Sequence, residues 1–226
     1  MSRAVVSLAT ERGNYYNSLA RLANSLKGNF DGAFLGFMGE ESVGASKHIE
    51  SNYGFKILAI EKAIENNFTS ILWLDSSTYA IKNIEPIFKL IETDGYFMQE
   101  AGAWVGNWAS DSVLKYFDIT RDKAMEIPMY SAGYTGLNLY NKDVVSFFEE
   151  WKNCLFEGLF NGRWDNNDKT ESDDIRCLGS RHDMTIASIL AQKMGFKYQS
   201  GNNYIEYGAP EEQPKNETIV IKNQGI

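Results

Sequence analysis

The sequence predicts an α/β fold, a mainly parallel central sheet with helices on both sides, and three observations carry that prediction. Short apolar runs of strand length alternate along the chain with stretches whose apolar residues recur at helical spacing. The run Ser70–Leu74 (SILWL) is apolar at consecutive positions, the pattern of a strand covered on both faces, as in a parallel sheet. The composition, 43% apolar and 23% charged, is that of a chain that folds around a core.

The first strand is read at Ala4–Ala9 (AVVSLA), followed by the polar loop Thr10–Asn14 and a helix marked by Leu19, Leu22, Ala23 and Leu26, with Gly28 as its stop. Ala33–Met38 is the second strand. A helix with Ile57, Ile60, Ala63 and Ile64 on one face comes next and ends at Asn66 and Asn67. Ser70–Leu74 then stops abruptly at Asp75. Pro86 opens a helix carrying Ile87, Phe88, Leu90 and Ile91, because a residue without a backbone N–H fits a first turn. Asp94-Gly95 turns the chain into a strand over Tyr96–Glu100. A helix capped by Ser110 is expected over Asp111–Phe117, another begins near Thr120, and Ser131–Tyr140 (SAGYTGLNLY) is a Gly-rich apolar segment. The last two helices, Asp143–Leu155 and Asp183–Met194, flank a polar, acid-rich loop over 161–180. A loop of that length is more often functional than idle. With no repeat and no low-complexity segment, the chain reads as a single domain over 1–208, with 209–226 as a polar, loosely held tail.

A net charge of −8, with no clustering of Lys and Arg, argues against a nucleic-acid partner. The start, MSRAVVSLAT, lacks the apolar core of a signal peptide, and no apolar run is long enough to span a bilayer, so a cytoplasmic protein is expected. Cys154 and Cys177 stand alone and read as reduced, structural thiols. Of the five tryptophans, Trp73 and Trp151 read as core, whereas Trp104, Trp108 and Trp164 are equally suited to core or ligand stacking. Neither G-x-G-x-x-G nor G-x-x-x-x-G-K-[ST] nor G-x-S-x-G occurs, which sets aside dinucleotide oxidoreductases, P-loop enzymes and the common hydrolase elbow.

In an open α/β sheet, ligands bind beyond the carboxyl ends of the strands, and Asp75 stands at such an end. A carboxylate finishing a buried strand is costly unless it is hydrogen-bonded or holds a cation, the plainer alternative being a cap for the turn Ser76-Ser77-Thr78. The segment ILWLDSS, preceded by the helix YGFKILAIEKAI and followed by IEPIF, resembles the nucleotide-sugar half of GT-A glycosyltransferases. SAGYTGLNLYNKDVVSFFEEWKN resembles that family's acceptor-side strand and helix. LGSRHDMTIASILAQKMG resembles its acid-bearing helix start, so the resemblance spans about 4–195.

The resemblance implies transfer of a sugar from a UDP- or GDP-linked donor to an acceptor hydroxyl on a carbohydrate or other molecule. It places the donor on Thr10, Arg12, Tyr15, Lys56, Asp75, Ser76 and Ser77, and the catalytic carboxylate at Asp183. The family's Asp-x-Asp element reads Asp75-Ser76-Ser77 here, a hydroxyl replacing the second acid. A Mn2+ or Mg2+ cofactor held by Asp75, Ser77 and His182 is therefore expected to bind weakly. His48, in a polar stretch, reads as surface. A non-catalytic nucleotide- or carbohydrate-binding protein on the same fold is the alternative. A nucleotidyltransferase is less favoured, since TERGN is a poor version of the basic Gly-rich loop it needs.

Overall fold

The computed structural model describes residues 1–48, 50–209 and 211–224. The chain opens with strand β1 (Arg3–Ala9), helix α1 (Tyr15–Leu26), strand β2 (Ala33–Met38), a 3-10 turn at Glu40–Val43, helix α2 (Gly54–Glu65) and strand β3 (Ser70–Leu74). There follow a short strand β4 (Thr78–Ala80), helix α3 (Glu85–Asp94), strands β5 (Tyr96–Phe97) and β6 (Glu100–Trp104), and helices α4 (Val105–Trp108), α5 (Asp111–Tyr116) and α6 (Arg121–Ala124). Strands β7 (Pro128–Tyr130) and β8 (Tyr134–Asn138), helices α7 (Lys142–Phe156) and α8 (His182–Lys193), and strands β9 (Ile205–Tyr207) and β10 (Ile221–Asn223) complete it.

The central sheet has the order β2-β1-β3-β8-β5. Strand β1 pairs in parallel with β2 and β3, while β8 runs antiparallel to both β3 and β5, so every strand but β8 points the same way. Alternation along each strand divides the core. Ala4, Val6, Leu8, Ile71 and Trp73 face one cluster with α2, α7 and α8, and Val5, Leu72 and Leu74 face the other with α1 and α3. All five residues of β3 are buried, as an apolar strand covered on both faces requires. This is the expected α/β architecture with helices on both sides of the sheet.

The topology also decides where a ligand can sit. From β1 the chain crosses through α1 to β2 on one side, then returns through α2 to β3 on the other side of β1. The connections beyond the carboxyl ends of β1 and β3 therefore diverge, leaving a crevice between Thr10 and Asp75.

Two expectations change. Residues 96–100 are not one strand: pairing with β8 ends at Phe97, and Glu100 starts β6, which pairs with β7. The supposed tail is part of the fold, for β10 lies between β4 and β9, with Ile219 and Ile221 at 0% exposure. Its sequence is polar on average, but buried Ile219 and Val220 lead into β10, whose Ile221, Lys222 and Asn223 are buried and pair with β4 and β9. Lys222, on the opposite face, is buried too. Its ammonium lies 3.4 Å from Glu206 Oε1 and donates to Ala209 O, which draws the preceding loop over the strand. Among the described residues, no helix is long and apolar enough to cross a membrane.

Candidate functional site

Asp75 follows the last residue of β3, and its backbone N–H donates to Gly133 O at 2.8 Å, extending the pairing of β3 with β8 by one step. Its carboxylate does not cap the following turn. Thr78 closes that turn, its N–H and hydroxyl both donating to Asp75 O. Oδ1 of Asp75 instead accepts from the indole N–H of Trp73 at 2.8 Å, so a core tryptophan two residues earlier aims the acid into the crevice. A Cβ added at Gly133 would stand 2.9 Å from Asp75 Oδ2, and glycine keeps that oxygen accessible. Burial raises the Asp75 carboxyl above its ordinary pKa, against the opposing pull of Lys56 and the Trp73 N–H.

The crevice has two adjoining chambers. One, of about 270 Å³, is lined by Thr10, Arg12 and Tyr15 from the loop and helix after β1, by Asp75, Ser76 and Ser77 after β3, and by His48, Tyr53, Phe55 and Trp164. The other, of about 240 Å³, shares Tyr53, Asp75 and Trp164 and adds Lys56, Ser131 to Gly133, Arg181, Asp183, Met184 and Tyr207. Every residue expected from the sequence to touch a donor lines one chamber or the other.

Lys56 is in the first turn of α2 and is 2% exposed, though a lysine at a helix start is ordinarily solvated. Its ammonium lies 2.5 Å from Asp183 Oδ2, 2.6 Å from Ala132 O and 3.9 Å from Asp75 Oδ1. A buried cation needs such partners, and here it ties the two acids of the crevice together. Asp183 is in the first turn of α8, where the helix dipole favours an acid. A second core tryptophan fixes that helix start, with the Trp151 indole donating to Asp183 O at 3.1 Å. The Asp183 side chain is 4% exposed, and its Oδ1 has no hydrogen-bond partner among the described residues.

The residues expected to ligate a metal do not form a ligand set. Ser77 Oγ donates to Asn223 Oδ1 at 2.8 Å, tying the β3 loop to β10. His182 is 1% exposed and packs against Tyr53 and Trp164, with Nδ1 on Phe160 O at 3.0 Å and its pKa lowered by burial. Among the described residues, no three His, Cys, Asp or Glu side chains gather in an arrangement able to hold a metal ion. A divalent ion here has one carboxylate, Asp75, in place of the pair that chelates, and the protein donors present do not fit a resident metal.

Sequence reasoning missed three contributors and left a fourth, Trp164, open between core and ligand stacking. His48, read as surface, sits in the crevice wall with its ring edge-on to Tyr53 at 4.5 Å, and burial lowers its pKa. Tyr53 adopts φ 59° before α2 and faces both chambers. Trp164, in the long polar loop, reaches both chambers. Arg181 immediately precedes helix α8. It is stacked on Trp108, with Cζ 3.4 Å from the ring centroid, and lies over Trp164 at 4.7 Å. Of these, only the length of loop 161–180 signalled function. Trp104 lines neither chamber and is 47% exposed.

No family model and no curated protein matches the chain. Among solved structures, a glycosyltransferase involved in the glycosylation of the major capsid of PBCV-1 is similar in fold. Its TM-score is 0.56 at 12% identity, over 99% of this chain and 92% of that one. The likeness shows the α/β fold and extends over nearly the whole of both chains.

Proposed function

We propose that the protein is a glycosyltransferase of GT-A type, moving a sugar from a nucleoside-diphosphate donor to an acceptor hydroxyl. The observation that carries this reading is the two-chambered crevice at the divergence of β1 and β3, with Asp75 shared by both chambers and the Lys56–Asp183 pair in the second. The larger chamber takes the nucleoside: Tyr15 offers a ring for the base, and Asp75 and Ser76 accept from or donate to sugar hydroxyls. The transferring sugar then lies beside Ser131 to Gly133 and Asp183.

Transfer on this reading is chiefly a matter of placement and electrostatics. The acceptor oxygen bonds to the anomeric carbon, the bond from that carbon to the diphosphate oxygen breaks with its electron pair, and the acceptor proton passes to Asp183 Oδ1. Lys56, on Oδ2, holds the Asp183 carboxylate in place and leaves Oδ1 to take the proton. The fold likeness to a glycosyltransferase supports the same reading.

The test is ligand binding followed by turnover. UDP or GDP should raise the melting temperature, whereas NAD and ATP should not. Release of free nucleoside diphosphate from a matching donor sugar separates an enzyme from a binding protein on this fold. Asp183→Asn should keep donor binding and lower turnover by a factor on the order of a hundred or more. Wild-type turnover in that variant removes Asp183 from catalysis, and failure of every nucleoside diphosphate to bind overturns the proposal.

A further inference from the structure

The crevice has a charge balance that the chain as a whole does not have. The protein carries a net charge of −8, yet the two chambers are lined by three basic side chains, Arg12, Lys56 and Arg181, against two acids, Asp75 and Asp183. Lys56 is held by both acids. The two arginines have no acidic partner among the described residues.

Arg181 is also the more rigidly held of the two. Its guanidinium lies over the rings of both Trp108 and Trp164, a stacking that suits a planar, weakly hydrated cation. Nη1 donates to Trp164 O at 3.0 Å and to Ser180 O at 3.1 Å, which fixes the plane of the fork. Gly179, at φ +149°, lets the chain cross Trp164 closely; a Cβ there would stand 2.3 Å from Trp164 O. Nε and Nη2 make no hydrogen bond to the protein among the described residues, and neither is an enclosed atom lacking a partner. A guanidinium stacked, oriented and left with unused donors on a chamber wall is an anion site of the bidentate kind.

We infer that Arg181 binds the diphosphate of the donor, so that the protein's own guanidinium, with Arg12 on the wall of the first chamber, takes over the charge neutralisation that the incomplete carboxylate set leaves unmet. The inference rests on the donor reading above. When the bond between the anomeric carbon and the diphosphate oxygen breaks, the electron pair stays on that oxygen, and the added charge falls beside Arg181. Replacement of the chelating acid by Ser77 agrees with this division, since a second carboxylate would repel a diphosphate held by protein cations alone.

Calorimetric titration with inorganic pyrophosphate, UDP and GDP, in the presence of EDTA, tests the inference. Wild-type protein should bind pyrophosphate and one nucleoside diphosphate without any divalent ion. Arg181→Gln should weaken both by about ten- to a hundredfold, the worth of a charge-assisted hydrogen bond. Arg181→Lys keeps the charge but not the fork, and should fall between the two; it serves as the reading should the glutamine variant unfold. The inference is overturned if either variant binds pyrophosphate as wild type does, or if binding vanishes in EDTA and returns with Mn2+. That last result leaves the donor reading standing. Conversely, EDTA-resistant, Arg181-dependent binding of pyrophosphate with no nucleoside diphosphate bound sinks the donor reading and keeps the anion site.

Discussion

Replacing Lys56 by methionine keeps most of the side-chain volume and removes the charge. The ammonium is 2.5 Å from Asp183, whose side chain is 4% exposed, so the substitution leaves a carboxylate in the interior without its cation and leaves Ala132 O without its donor. Losing one partner of a buried pair typically costs about 3–5 kcal/mol. At about 2–4 °C per kcal/mol for a chain of this size, that is a fall of roughly 6–20 °C in melting temperature. Equilibrium denaturation in urea, with the slope fitted separately for each variant, reads the free-energy change directly. Adding Asp183→Asn to Lys56→Met should recover part of the loss, because the stranded charge is then gone, and the double-mutant cycle should show clear coupling. A cost below about 1 kcal/mol for Lys56→Met, the value of an exposed pair, refutes the claim that the two groups form a desolvated unit. Additive single variants refute it as well.

At Asp75 and at β10 the same reasoning gives opposite signs for stability. Folding raises the Asp75 pKa, so the native state prefers the protonated form, and the stability this group costs grows as pH rises from the unfolded to the folded value. Asp75→Asn, which can still accept from the Trp73 indole, should therefore melt higher than wild type at pH 7, match it below the carboxylate range, and lose donor affinity. A lower melting temperature at pH 7 would contradict the assignment. In β10, Ile221→Ala should cost about 2–5 kcal/mol, as for a fully enclosed core residue, and a change under about 1 kcal/mol in urea melts would mean that the segment is not part of the core.

The elements whose periodicity is local were legible in the sequence. The unbroken apolar run of β3, the cap at Ser110, the helix start near Thr120, and the stops at Gly28 and Gly95 each depend on neighbours within a turn or two, and each appears where it was read. The strand ending in Asp75 also located the crevice, because a carboxylate closing a doubly covered strand has few inexpensive roles. The strand β10 escaped notice because its three residues, Ile221, Lys222 and Asn223, gain their meaning only from β4 and β9, and one apolar residue before two polar ones carries no period.

Contacts between distant segments decided the rest. Lys56 lies 127 positions from Asp183, and nothing in FKILAIEK marks one lysine as enclosed; only the folded chain, which brings Asp183 and Ala132 around it, removes it from water and so demands the ion pair. Ser77 was legible as a missing acid, but only the arrival of Asn223 shows that its hydroxyl is already engaged. Likewise Arg181 is an ordinary arginine before a helix until the rings of Trp108 and Trp164 come against its guanidinium. The sequence by itself determined the α/β class and the strand end at which the crevice opens, since apolar periodicity and capping act over short distances. Which charges stand together, which are neutralised and which are left for a ligand was decided only by the tertiary structure, because desolvation and ion pairing depend on what is near in space.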